Sequence, residues 1–546
     1  MIIIQCMKWK LLYSSKLSAS NPKRIINILL ANRGLKDKRE KDEFLNPKYP
    51  FKISLKEVAI KKSQVDKAKA RIKMAKERRE KVIVFGDYDA DGITATAILW
   101  ENLYRLGVDV LPFIPDRFSE GYGLKEETVD LLVDAHNDLK LIITVDNGIV
   151  AHNAIKHALN RGIDTIVTDH HQKNIKKLAA HSVIHTTKIC GSAIAWFLSR
   201  ELCNNPTGLE LAAIGTIADM LPLTGVNRSI AKYGLVELNK ATRPGLVSMI
   251  KEAGIKRGTV GTYQVNFLIA PRINSTGRIG NALDSLRLLC TKDVVRSEKL
   301  AQKIGKLNIE RQNIVDEVLA MAQEKLPEEN NSGIILLAHE NYHEGVIGLA
   351  ASKLVEKYYR PSIVISMGEK VSKASARSID GVNIIEEIRK LEGLIIEGGG
   401  HPMAAGFSIY NEKIEEFKQE LDKLISPQLT EEVLEKSLKV DMAIDFSQIS
   451  SDLLEKIISL EPYGLGNPTP LFCSEVTVLD ARTVGGEKHL KLIVAQNGVK
   501  YDAIAFGFGE YISEIEQGSL LNIAFSLEEN VWNGKRNIQL KIRDIK

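Results

Sequence analysis

Residues 82–96, VIVFGDYDADGITAT, decide how the rest of the chain is read. Val82, Ile83, Val84 and Phe85 make a short unbroken apolar run, as in a strand buried on both faces of a parallel sheet. Gly86 ends the strand, and Asp87, Asp89 and Asp91 follow on alternate positions. Gly92 gives the backbone room to turn, and the pattern over 93–107 predicts a helix. Three carboxylates so close together resist joint ionisation. A solvated Asp-rich turn and a divalent-cation site both fit this stretch alone. The cation reading is favoured because the pattern recurs.

Residues 141–145 form a second apolar strand, followed by Asp146, Asn147 and Gly148. Residues 164–168 form a third, followed by Asp169, His170 and His171. In open α/β sheets, ligands bind outside the carboxyl ends of the strands, so these three ends are expected at one edge. A lone histidine after a strand is usually structural, but three such coincidences point to a site. Asp219, in AIGTIADMLPL, is a fourth contributor, set just after an apolar helical turn that Pro222 terminates. Carboxylates with an imidazole suit Mn²⁺ or Mg²⁺ better than thiophilic metals.

The segments GDYDADG, TVDNG, TDHH and GTIAD resemble the four motifs of the DHH phosphoesterases. Their order and spacing are similar to the RecJ branch, exonucleases specific for single-stranded DNA, and the resemblance runs from about Trp9 to the C-terminus. It implies an α/β protein with four parts. These are a parallel-sheet DHH domain, a long linker helix, a second α/β DHH-associated domain and a C-terminal OB-like β-barrel. Asp89, Asp91, Asp146, His170 and Asp219 are expected as ligands of two Mn²⁺ or Mg²⁺ ions, with Asp146 bridging. Asp87 is a ligand or orients one, Asp169 orients an imidazole, and His171 contacts substrate. Such ions would clamp a phosphodiester and acidify a water. The implied activity is 5′→3′ hydrolysis of single-stranded DNA to mononucleotides in recombination and repair, alongside a helicase and a single-strand-binding protein. Rival readings are a DHH phosphodiesterase acting on short oligonucleotides or cyclic dinucleotides, a single-strand-binding scaffold, and a pyrophosphatase.

At 546 residues the chain has room for several domains. The net charge of +5 neither proves nor opposes nucleic-acid binding. The five cysteines are scattered without a CxxC pair, which argues against a disulfide framework or structural zinc. No run reaches membrane-spanning length. The leading MIIIQC is too short for a secretory h-region, so a cytoplasmic protein is the simplest expectation. Lys8-Trp9 resembles the start of family chains, and residues 1–6 are expected to add nothing to fold or activity.

Along the chain, the expected parts are an N-terminal helical region at 1–80, the DHH domain with a helical extension at 81–296, a linker helix at 297–332, the DHH-associated domain at 333–426 and the barrel at 438–546. The basic face of the helix at 65–81 reads as solvated. Leu300, Ile304, Leu307, Ile314, Val318 and Ala322 stripe the linker helix, which would span roughly 45 Å. PEENNS at 327–332 is a breaker-rich boundary. The resemblance also implies nucleic-acid contacts from Arg117 in PDRFSEGYGL, from Arg272, Asn274 and Arg278 in a Gly-bounded loop at 271–280, and from Arg377 and Ser378 at an exposed strand end. Gly399, Gly400 and His401 in EGGGHPMAAGF, which allow close backbone approach, complete that set. Beyond His171 the Asn-Pro loop of the family is missing, and His181 and His185 there are poor candidates for ligands.

Overall fold

The structure, a computed structural model, describes residues 7–15, 21–173, 176–325, 333–532 and 535–546. The segments 1–6 and 327–332, on which two of the expectations fall, lie outside the described residues. The chain divides into two compact units, one of Tyr49–Leu221 with Ser229–Leu434 and another of Met1–Lys48, Pro222–Arg228 and Glu435–Lys546.

The larger unit carries a five-stranded, wholly parallel sheet. Its spatial order is Val110–Phe113, Lys81–Phe85, Leu139–Val145, Asp164–Asp169, Ser182–His185. The second strand in space is therefore the first in sequence, and the order reverses between Lys81–Phe85 and Leu139–Val145. That switch point opens a crevice beyond the strand ends, where ligands of such sheets bind. The apolar runs are explained by burial on both faces: Ile83, Phe85, Ile142 and Val167 pack with Val129 and Ile155 of the covering helices. Beyond Phe85 the chain enters the Ala90–Arg105 helix, which packs on the Gly191–Leu202 and Leu209–Ala218 helices.

Residues 271–280, expected as a loop, are instead the body of the Ala270–Ile279 helix, which continues a π-helical turn at Val265–Ile269. Pro271 falls in the first turn, where its missing N–H costs no intrahelical bond, so it does not break the helix. The linker helix spans Val294–Lys325 and starts earlier than expected because the Asp293 carboxylate accepts the Arg296 N–H at 3.1 Å. A second, mixed sheet follows, in the order Glu397–His401, Ala404–Tyr410, Val371–Arg377, Ser362–Ser366, Ile335–His339. Its core is built on Ile363, Ala376, Phe407 and Phe417.

In the smaller unit, Phe472–Val484, His489–Gln496, Val499–Phe506, Lys535–Ile545 and Leu520–Trp532 close a barrel, the last strand pairing back on the first with Phe472 opposite Phe525. Closure removes the exposed edges. The N-terminal 80 residues are not one helical region. Lys8–Tyr13 is a strand added in parallel to Ser437–Ala443 beside the barrel, with the Trp9 indole donating to Asp544 at 2.6 Å. The Lys62–Arg78 helix belongs instead to the larger unit, where its buried Arg71 pairs with Asp164 and Glu80. No helix among the described residues is long and apolar enough to cross a membrane.

Candidate active site

The acids converge because four elements end at one place. Asp89 caps the Ala90–Arg105 helix, accepting the Gly92 N–H at 2.9 Å, and Asp91 lies in its first turn. Asp146, directly after its strand, adopts a left-handed φ of 63°, a conformation that Asp tolerates better than most residues. His170 and His171 follow the neighbouring strand, and Asp219 caps the C-terminus of Leu209–Ala218.

Ligand atoms of Asp87, Asp89 and Asp146 all lie within 4.8 Å of one another, as do those of Asp91, His170 and Asp219, and those of Asp146, His170 and His171. Asp146 and His170 thus each belong to two groups. The Asp146 side chain is 2% exposed, and its Oδ1 lies 3.1 Å from His170 Nε2. That oxygen nevertheless has no aligned hydrogen-bond donor. A buried carboxylate oxygen without a donor is costly. Two ligands that face the same cation have this geometry, so the donor set fits a hard divalent metal.

Electrostatics agree. Burial, then the charges of Asp91 and Asp89, hold the Asp146 carboxyl well above its usual range. Burial and Asp89 do the same to Asp87. Asp89 keeps solvent access along one edge, yet desolvation in the cleft and Asp91 raise it too. Asp219 is pushed up to about 8 by burial and by Asp91 and Asp89. Burial lowers His170 and favours the neutral imidazole that a metal requires. His171 behaves oppositely. Burial works against its charge, but its bond to Asp169, Nδ1 to Oδ1 at 2.8 Å, and the Asp169 charge lift it to about 9. Asp169 is itself lowered: burial opposes this, and the His171 hydrogen bond outweighs it. Its other oxygen accepts the Ile149 N–H at 2.8 Å. Asp169 therefore orients and charges His171. His185 sits outside the cluster, its Nε2 bonded to the His171 carbonyl.

Of the expected nucleic-acid contacts, the structure brings some to this edge. Arg117 lies over the Tyr88 ring, 5.2 Å from its centroid. Burial and the nearby charges of Arg117, Arg311 and Arg377 pull Arg278 down to about 10, while Asp89 opposes them. The Arg278 guanidinium thus feels three other arginine charges, and Arg278, Arg311 and Arg377 have no ion pair among the described residues. Asn274 is not in an open groove; its Oδ1 accepts the Ala90 N–H at 2.7 Å and steadies the loop that carries Asp89 and Asp91. Arg272 is committed to Glu252 at 2.6 Å and to the Leu268 carbonyl. Ser378 is buried and donates to the Val382 carbonyl, while Ser375 bonds Arg377 at 3.1 Å. Gly399, Gly400 and His401 lie on a fully exposed edge strand. Sequence reasoning missed Arg311, whose buried Nε has no partner, and the Gly191-Ser192 helix start, although a Gly-Ser pair before an apolar run is a helix-start signal.

A parallel sheet with Asp, Asp-Asn-Gly and Asp-His-His at its strand ends defines a DHH-type phosphoesterase architecture. Residues 81–217 match the N-terminal domain of the DHH family, 330–426 the DHHA1 domain and 440–544 the RecJ OB domain. The single-stranded-DNA-specific exonuclease RecJ of Thermus thermophilus is 34% identical over 88% of this chain and 70% of that protein. RecJ of Bacillus subtilis is 36% identical over 87% of this chain, which spans 62% of that protein's length. RecJ of Haemophilus influenzae is 30% identical, covering 85% of this chain and 87% of its own. The chain belongs to the RecJ family. The crystal structure of the Thermus thermophilus RecJ in complex with Mn²⁺ superposes with a TM-score of 0.82 at 29% identity, covering 99% of this chain and 80% of that one. A crystal structure of exonuclease RecJ bound to manganese gives 0.59 at 34% identity over 68% of this chain and 96% of that one.

Proposed function

We propose that this protein is a divalent-metal-dependent exonuclease that degrades single-stranded DNA from its 5′ end and releases 5′-mononucleotides. The observation that carries the reading is Asp146, which belongs to two groups of ligands and has a buried oxygen without a donor. The single-stranded-DNA-specific exonucleases among its RecJ relatives, and the Mn²⁺ and Mg²⁺ complexes of the Thermus thermophilus RecJ, support it. Mn²⁺ or Mg²⁺ ions held there would polarise the phosphoryl group and make a water acidic enough to attack it. The chain's own residues do the rest. Asp89, Asp91, Asp146, His170 and Asp219 hold the ions, with Asp87 beside them and Asp146 between the two groups. Protonated His171, fixed by Asp169, faces the negative charge that builds on the phosphoryl oxygens. Arg117, Arg278 and Arg377 hold phosphates of the strand through planar forks of donors. The OB domain offers stacking and backbone contacts to a single strand. In recombination and repair, a helicase would supply such strands and a single-strand-binding protein would coat them.

With Mn²⁺, strands labelled at either end should yield mononucleotides, the 5′ label first, and blunt duplex should survive. First release of the 3′ label, or internal fragments, would overturn the reading. The raised acids add a second expectation. Asp219, at about 8, is mostly protonated at pH 7 in the metal-free protein. Adding Mn²⁺ in weak buffer should therefore release protons; an unchanged pH would mean that the acids are already ionised.

A further inference from the structure

Asp91 differs from the other acids in how it is held. Its Oδ2 accepts the Gly191 N–H at 2.6 Å and its Oδ1 accepts the Ser192 N–H at 3.0 Å. Both donors belong to the first turn of the Gly191–Leu202 helix, whose opening N–H groups have no intrahelical acceptor. The same turn presses on two further parts of the site. A Cβ on Gly191 would come within 2.5 Å of Asp146 Oδ1. A Cβ on Gly215, in the helix that ends at Asp219, would run into both Asp91 Oδ1 and Ser192 Oγ, far inside van der Waals contact. Cys190 Sγ links the turn to that helix, lying 3.1 Å from Ser192 Oγ and 3.4 Å from Thr216 Oγ1.

We infer that the Cys190-Gly191-Ser192 turn, with Gly215 behind it, is a positioning element for Asp91. It takes one lone-pair direction on each carboxylate oxygen and leaves the remaining directions to the cluster, where His170 Nε2 stands 4.0 Å from Asp91 Oδ2. A carboxylate fixed at both oxygens keeps one orientation whether or not a cation is bound. Chain elements that hold a ligand in this way typically govern affinity by about 10–100-fold. The inference rests on the cation site proposed above.

The test is Mn²⁺ binding to the full chain by EPR titration, with metal-free melting measured alongside. Gly215→Ala should weaken Mn²⁺ binding about 10–100-fold and lower the melting temperature. Adding Ser192→Gly removes the clash with Ser192 but leaves the one with Asp91. The double variant should therefore regain melting temperature without regaining Mn²⁺ affinity. If both recover together, the effect is packing alone and the inference falls. Ser192→Pro deletes one donor at a helix position that proline tolerates. Wild-type Mn²⁺ affinity in that variant would also overturn the inference. Should these variants fail to fold, hydrogen exchange on the wild type decides. Exchange at Gly191 and Ser192 should already be slow in the metal-free protein, and fast exchange there would sink the positioning role. A wild type that binds no Mn²⁺ would instead refute the cation site itself.

Discussion

Replacing Asp146 with Asn should abolish nuclease activity while making the metal-free protein more stable. Loss of a shared ligand removes several kcal/mol of charge stabilisation in the transition state, and at 1.36 kcal/mol per tenfold the rate falls by about a thousandfold or more. Stability moves the other way because the folded state raises the Asp146 pKa through burial and then through Asp91 and Asp89. The folded chain therefore keeps protons that the unfolded chain, with ordinary carboxyls near about 4, has already lost. Stability of the metal-free wild type falls as pH rises through that window, and Asp219 extends it to about 8. An Asn at 146 carries no charge and relieves its neighbours. Melting in EDTA at pH 5 and pH 8 should show the variant's advantage growing with pH. Near-normal turnover would remove Asp146 from the site, and a gap that shrinks with pH would reverse the electrostatic account.

Replacing Arg377 with Ala should harm 5′-phosphorylated strands far more than 5′-hydroxyl ones. Metal ions alone meet every internal phosphodiester alike, so polarity needs a group that recognises the terminus. Arg377 ends its strand half-buried, bonded only to Ser375 Oγ and the Ala376 carbonyl among the described residues, and burial lowers its pKa. Its charge acts on Arg278, whose pKa is lowered by burial and then by neighbouring arginines, this one included. A terminal phosphate carries more charge than an internal one and answers that unpaired fork. Charge-assisted hydrogen bonds of this kind contribute about 1.5–3 kcal/mol, so kcat/KM for the phosphorylated end should drop about 10–150-fold beyond the loss on the hydroxyl end. Ser375→Ala should narrow the end preference more weakly, and Ser378→Ala should leave it unchanged, because the Ser378 hydroxyl is turned to Val382. Equal losses on both ends for Arg377→Ala would mean that it binds an internal phosphate.

Residue order alone was enough to place the acids. Asp87, Asp146 and Asp169 each follow an apolar run closely, and a parallel sheet brings such strand ends to one edge whatever the remaining detail. Period and strand ends are local properties, so they survive in a one-dimensional pattern. What local pattern does not carry is pairing across distance. Residues 271–280 read as a loop until the preceding turn is seen to be helical. Arg272 reads as a phosphate contact until Glu252 is found against it. Lys8–Tyr13 becomes a strand only because Ser437–Ala443, at the far end of the chain, offers its edge. Arg311 sits unremarked in a long helix until its Nε is found buried without a partner. The hold on Asp91 is hardest to read in advance, because its donors are the backbone N–H groups of Gly191 and Ser192. Nearly every residue carries such a donor, and only the tertiary fold decides which ones face a carboxylate.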